Sequence, residues 1–214
     1  MSSFVLKIIA CVAMLIDHIG YALYPNVAIL RMIGRIALPI FAFQVALGFR
    51  HTKDKEKYIL RMFLFAVISQ IPFSLLTSIH TSTFRLNIGI TFLLALLLLY
   101  SIEDIKPIWA KILCSLVVIA LSCFLKYDYY IYGIALVLIF YYTFNNKKVV
   151  FPFYYVTTMI YCMYRKSLLQ IYSLFSLIPI MLYNGKKGPS FKYFFYAFYP
   201  LHMLAIYIIF KLCS

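Results

Sequence analysis

Apolar positions in this chain run on without alternating. Nine stretches, near 4–24, 28–49, 57–79, 88–103, 108–126, 129–144, 149–164, 167–183 and 192–213, are almost continuously apolar, with short polar breaks between them. A bilayer core is matched by roughly 20 apolar residues at helical rise. Barrel strands would alternate apolar with polar, and these runs do not. Amides in hydrocarbon must find partners within their own segment, which only helices provide here. The pattern predicts an all-α polytopic membrane bundle of about nine transmembrane helices, one domain over 1–214, with no internal repeat or linker. The shorter runs are expected to pack inside the bundle or to enter only part way. Pro39, Pro72, Pro152, Pro179 and Pro200 fall inside apolar runs, where they predict kinks or interruptions.

Composition agrees with the pattern. The 214 residues are 65% hydrophobic and 12% charged, and no soluble surface could be covered from that stock. The net charge of +14 raises nucleic acid as a partner. Its distribution excludes that reading, because the bases collect in short loops. Counting from an inside N-terminus, the inner loops and their flanks hold Arg50, Lys53, Lys55, Lys57, Arg61, Lys106, Lys111, Lys147, Lys148, Lys186, Lys187 and Lys192. The outer loops hold Arg85, Lys126, Arg165 and Lys166. Twelve against four predicts a multi-pass protein of a bacterial-type inner membrane with its N-terminus in the cytoplasm. The Arg165–Lys166 pair goes against the rule. Cys11, Cys114, Cys123, Cys162 and Cys213 lie in apolar stretches without CxxC spacing. They read as small core residues, with neither a metal site nor a disulfide framework indicated. The first apolar run is too long for a signal core and lacks a small-residue cleavage site, so no cleavable signal is expected.

The polar residues inside apolar runs are the candidates for chemistry. The hairpin from Leu6 to Arg50 holds Asp17, His18, Arg31 and Arg35. An Asp or Arg at membrane depth costs about 2.5 to 3.5 kcal/mol, so four ionisable groups in one hairpin imply pairing or function. His18 lies seven residues before Pro25 and Arg35 ten after it, which puts both about 10 to 15 Å below one membrane surface. Arg31 and Arg35 share a helix face. Asp17 points about 100° away from His18 and is expected to pair with an arginine. One acid cannot neutralise two arginines, so the spare charge reads as a stabiliser of an anion or polarised carbonyl. His18 reads as a proton acceptor; the competing reading is a structural hydrogen bond. His202 and Gln70 lie at similar depth and could face the hairpin, although Gln70 reads better as a helix–helix hydrogen bond. Asn87 reads as a helix cap. The run Tyr127 to Gly133 reads as an interfacial belt or, alternatively, as the wall of a wet cavity. Arg50, His51, Lys53, Lys57, Arg61, Lys186 and Lys187 could receive a phosphorylated ligand; insertion topology alone would also explain them.

These residues carry a resemblance. LKIIACVAMLIDHIG (6–20), RMIGRIALPIFAFQVALGFRHT (31–52), KYILRMFLFAVISQIPF (57–73), NIGITFLLALL (87–97) and NGKKGPSFKYFFYAFYPLHML (184–204) together resemble the TraX family, known for acetylation of a pilin N-terminus in the inner membrane. That family looks related to the broader transmembrane acyltransferases, which take acetyl-CoA from the cytoplasm and modify an acceptor on the other face through an intramembrane histidine. The resemblance implies acetyl-CoA as donor, no metal, and His18 as the catalytic histidine, with Asp17, Arg31 and Arg35 beside it. It implies a membrane-associated acceptor, whether protein, peptide or glycan, and does not say which. The rival reading of the same cluster is a small transporter or flippase that uses it as a relay. A third is a non-catalytic membrane scaffold.

Overall fold

The computed structural model describes residues 1–189 and 191–213. Ser190, Ser214 and the side chains of Lys147 and Lys192 lie outside the described residues, so two of the expected inner-loop charges are not placed. The elements are α1 (Ser3–Ala22), α2 (Ala28–Gly34), α3 (Ala37–His51), α4 (Lys55–Thr77), α5 (Ile88–Glu103), α6 (Ile108–Phe124), α7 (Tyr130–Tyr142) and α8 (Lys147–Arg165). A 3₁₀ stretch (Leu168–Ser176) then runs into α9 (Leu177–Met181), and α10 (Lys192–Cys213) closes the chain. With α2 and α3 taken as one segment, and the 3₁₀ stretch with α9 as another, the described helices fall on the nine apolar runs. Ser3–Ala22, Ala28–His51, Lys55–Thr77 and Tyr193–Cys213 are long and apolar enough to cross a membrane, and shorter apolar helices fill in between.

The segments alternate in direction, so their connections gather at two opposite ends. At one end Lys55 pairs with Asp104 at 2.7 Å, Arg50 reaches Asn145, and the amides of Ser3 and Phe4 donate to the carbonyls of Lys186 and Lys187. At the other end Leu86 exchanges backbone hydrogen bonds with Lys126 and Asp128, and the Tyr21 hydroxyl donates to the Thr77 carbonyl. The described loops expected on the inner side lie at the first end. Of the short helices, α7 occupies the middle: it packs on α3, α5 and α8, and its Leu136 and Val137 are fully buried. The outside is apolar, with Ile68 and Ile71 on α4, Ile112 and Leu116 on α6 and Phe151 and Ile160 on α8 all exposed. A bilayer covers such a surface; water does not.

The second apolar run is broken rather than continuous. Pro39 has no N–H to donate to the carbonyl of Arg35, and its ring would crowd that carbonyl. The helix stops at Gly34 and restarts at Ala37, leaving Pro39 in the first turn of α3. Across the break Arg35 and Ile36 make tightened bonds to Met32 and Ile33. Helices α4, α8 and α10 instead continue through Pro72, Pro152 and Pro200.

The 3₁₀ stretch also has a sequence reason. Gln170, Ser173 and Ser176 recur every third residue, and side chains three apart eclipse in a 3₁₀ helix. All three are buried. The Ser173 and Ser176 hydroxyls meet those of Tyr132 and Tyr154 at 3.1 and 3.2 Å. Nine residues at 3₁₀ rise and five at α rise reach about 25 Å, so a 14-residue segment gains length without gaining residues.

Candidate functional site

The site begins with two glycines. A Cβ at Gly20 would collide with the side chain of Leu30, and one at Gly34 would collide with that of Asp17. The close approach of α2 to α1 therefore requires both to lack side chains. It brings Arg31 and Arg35 onto Asp17. Arg31 Nη1 donates to Asp17 Oδ2 at 2.6 Å and to the Asp17 carbonyl at 2.8 Å. Arg35 Nη2 donates to Asp17 Oδ1. One carboxylate is thus shared by two guanidiniums, with Asp17 8% and Arg35 7% exposed.

The two arginines are not equivalent. Arg35 spends all three nitrogens on the protein: Nη2 on Asp17, Nε on the Arg31 carbonyl at 3.1 Å and Nη1 on the Tyr129 hydroxyl at 2.9 Å. The Arg31 carbonyl is open to it because the break at Pro39 diverts the Arg35 amide to Met32. Arg31 uses only Nη1 among the described residues. Its Nε and Nη2 remain as donors, and its guanidinium lies 5.3 Å from the Tyr21 ring centre. Arg35 is the fastener of the cluster, and Arg31 is the arginine with donors to offer.

His18 stands on the next position of α1 and meets His202 of α10. Their Nδ1 and Nε2 atoms are 2.7 Å apart, the ring centroids 4.9 Å apart, and the planes within 5°. That centroid distance is what a 2.7 Å contact plus one ring radius on each side requires. The rings therefore lie edge to edge in one plane, not face to face. The hydrogen bonds assign the protons. His202 Nδ1 lies 2.7 Å from the Phe198 carbonyl, and a carbonyl can only accept, so Nδ1 carries hydrogen. With both rings neutral, His202 Nε2 then accepts, His18 Nδ1 donates, and His18 Nε2 is left as a bare lone pair. It has no hydrogen-bond partner among the described residues.

His18 lines a cavity of about 340 Å³ together with Asp17, Arg31, Arg35, Arg85, Asp128, Tyr129, Arg165 and Gln170 and apolar neighbours such as Met14, Phe73 and Tyr199. Its polar rim comes from the connections 78–87, 125–129 and 165–167, so it opens at the end opposite the basic loops. His202 is not among its lining residues and backs His18 from behind.

Four of these residues are invisible to helix-depth reasoning, because three come from connections and Arg165 is the last residue of α8. Asp128 is set by its amide to the Leu86 carbonyl at 2.9 Å and by the Thr91 hydroxyl on its own carbonyl at 2.6 Å. Its carboxylate accepts no hydrogen bond from the described residues. Tyr129 follows with φ 61° and Tyr130 with φ 47°, two consecutive left-handed residues without glycine. Such backbone costs of order 1 kcal/mol or more per residue and concentrates where a side chain must be aimed. Here it aims the Tyr129 hydroxyl at Arg35. Arg85 and Arg165 complete the set.

Gln70 does not line the cavity. Its amide bonds to Ser74, to the Arg85 carbonyl at 2.9 Å and to the Asn87 amide and side chain. It ties α4 to the start of α5, where Asn87 caps the helix. At the far end a second cavity of about 360 Å³ is lined by Ser3, Lys7, Gln44, Leu47, Gly48, His51, Tyr183, Gly185 and Lys187. Of the expected phosphate ligands, His51 and Lys187 line it. Arg50 lies over Phe144 and Arg61 over Tyr58, while Lys57 pairs with Asp54 at 2.9 Å. Lys53 and Lys186 are exposed. The two cavities share no lining residue among those described.

A family model described as TraX protein matches residues 2–210. A "Probable fimbrial assembly protein FimC, serogroup H1" of Dichelobacter nodosus is 29% identical over 230 residues, spanning 94% of this chain and 93% of its own length. "Uncharacterized protein RP591" of Rickettsia prowazekii (strain Madrid E) is 48% identical over 66 residues, 31% of this chain and 25% of its own. No solved structure matches the chain.

Proposed function

The chain belongs to the TraX family, and from that premise we propose that it is an integral-membrane acetyltransferase that moves an acetyl group from cytoplasmic acetyl-CoA to an amine or hydroxyl at the outer side of an inner membrane. The observation that carries the reading is the oriented pair His18–His202, with His18 Nε2 unpartnered among the described residues.

His18 Nε2 takes the proton of the acceptor as its nitrogen or oxygen attacks the thioester carbonyl. Arg31, with two donors in hand, faces the oxyanion that forms. The C–S bond then breaks, and His18 returns the proton to the departing CoA sulfur. His202 holds the His18 ring in the tautomer that leaves Nε2 free. It fills the place an aspartate takes in a catalytic triad, but as a neutral group. Arg35 and Asp17 hold Arg31 in position. Transfer through an acetyl-histidine at the same atom uses the same residues.

At the inner end, Lys7, His51 and Lys187 suit the nucleotide phosphates, which stay hydrated rather than enter hydrocarbon. Lys7 and His18 are eleven residues apart on α1, about 16 Å at helical rise, a span for the extended pantetheine arm. The acceptor enters from the opposite cavity. The fimbrial relative supports a pilin-type peptide as acceptor. A carrier reading draws on the same two cavities, which open at opposite ends without a shared wall.

The test uses purified protein in lipid nanodiscs with acetyl-labelled CoA and a peptide bearing a free N-terminus. Label should pass to the peptide with wild-type protein and not with His18→Ala. His18→Ala with wild-type turnover would end the assignment. Movement of a solute without acetyl transfer would establish the carrier instead.

A further inference from the structure

Two cations in the cavity have no role in the mechanism above. Arg85 and Arg165 line it beside Asp17, Asp128, Arg31 and Arg35, which makes four guanidiniums against two carboxylates. Asp17 is already divided between Arg31 and Arg35. Asp128 lies within electrostatic range of Arg35, Arg85 and Arg31, and its carboxylate is in no ion pair among the described residues. Neither Arg85 nor Arg165 makes a side-chain hydrogen bond or ion pair among the described residues. The cavity therefore carries an excess of about two positive charges.

Their position sharpens the point. With the N-terminus inside, arginines at this end are what membrane insertion selects against. Of the four cations at this end, Lys126 and Lys166 stand exposed outside the cavity, while half-buried Arg85 and exposed Arg165 line it. An arginine kept on the disfavoured face, at a cavity mouth and with no acid bonded to it among the described residues, is placed for a ligand. Guanidinium presents two parallel donors to phosphate or carboxylate.

We infer that the cavity binds an oxyanion, a phosphate or carboxylate, between Arg85 and Arg165, and that this anion belongs to the acceptor. The second half rests on the acetyltransferase reading; the first does not. A volume of about 340 Å³ admits the reactive end of a larger acceptor rather than a whole macromolecule. The anion would be held at the mouth while the nucleophile reaches His18 inside. It has two sources: the headgroup of an anionic lipid and a free or acceptor-borne anion.

Binding is read without any acetyl transfer. Protein in phosphatidylcholine nanodiscs is melted with and without glycerol 3-phosphate, glycerol serving as the neutral control. A second set of discs contains phosphatidylglycerol. Wild-type protein should gain about 2 to 4 °C from at least one anion source and nothing from glycerol. An Arg85→Gln, Arg165→Gln double variant should lose that gain, and Arg85→Lys, Arg165→Lys should keep part of it. Stabilisation by the lipid alone identifies the bilayer as the source, and stabilisation by glycerol 3-phosphate identifies a free anion. If the double variant fails to fold, Arg165→Gln alone, at an exposed position, takes its place. The inference is overturned if neither anion stabilises the wild type, or if the glutamine variant is stabilised as much. Absence of acetyl transfer would count against the enzyme and leave the anion site standing.

Discussion

The two ends of this bundle are both basic, but they use charge in opposite ways. At the cavity end Asp17, Arg31 and Arg35 hold one another in a fixed geometry. Arg35 is 7% exposed and its three nitrogens go to three different protein acceptors. At the other end Lys53 and Lys186 stand in the open, and Lys57 pairs across one exposed turn with Asp54. A guanidinium held at several points out of water is costly to disturb, whereas a solvated ammonium contributes little through its pair. Number of charges therefore says little about an end's role. The cavity end has the fewer loop cations and the more specific arrangement.

The largest effect expected from breaking this contrast is catalytic. His18→Ala should lower acetyl transfer by about 10² to 10⁴-fold, the range for a positioned base, with little loss of stability. Turnover in nanodiscs and the thermal midpoint measured together check both halves. Asp17→Ala comes next, and here the damage should be to the fold. Removing the shared acid leaves two arginines facing each other, at a cost of about 3 to 5 kcal/mol, visible as a loss of folded protein in detergent. Asp17→Ala that expresses and melts like wild type would show that the arginines are solvated through the cavity.

Arg31 and Arg35 should then separate. Arg31→Gln should reduce kcat by about tenfold to 10³-fold while leaving the melting midpoint near wild type, because Arg35 still pairs with Asp17. Arg35→Gln should lower the midpoint more than Arg31→Gln does. The reverse ranking would exchange the two roles. Replacing His202 should cost less than replacing His18. His202→Gln keeps an acceptor for His18 Nδ1–H and should outperform His202→Phe by about tenfold, since a net hydrogen bond is worth about 1 kcal/mol. Nitrogen NMR of labelled His18 should report a protonated Nδ1 in wild type. The smallest effect belongs to the basic end. Lys53→Ala with Lys57→Ala should raise KM for acetyl-CoA by about two- to tenfold and leave kcat near wild type, as exposed charges act equally on ground and transition states. An unaltered KM would mean that those lysines only set topology.

The same contrast explains what the sequence could reveal. All nine segments were legible from apolar runs because a membrane demands length before anything else. The pairing of Asp17 with arginines was legible because helical rise fixes depth on both arms of one hairpin. His202 was legible only as a group at matching depth; nothing local says that its ring meets His18 edge to edge. Asp128, Tyr129, Arg85 and Arg165 were not legible as a set. Three sit on connections and Arg165 ends α8, and at such edges no period relates sequence position to place. A kink or interruption at Pro39 was legible, and the structure has the interruption. Its real consequence, the freed Arg31 carbonyl taken by Arg35 Nε, needs the side chain in view. The every-third spacing of Gln170, Ser173 and Ser176 was in plain sight, and a period of three should have marked the 3₁₀ stretch.

Gly34 has a consequence for how the protein can vary. No charge sits there, and nothing about it is reactive. Yet any side chain at that position would occupy the space of Asp17's own, so α2 would have to move away from α1 and carry both guanidiniums with it. One added methyl group would then do what deleting an acid does. Gly34→Ala keeps every ionisable residue of the chain and still takes the site apart, which makes spacing, as much as chemistry, the quantity that inheritance must preserve in this hairpin.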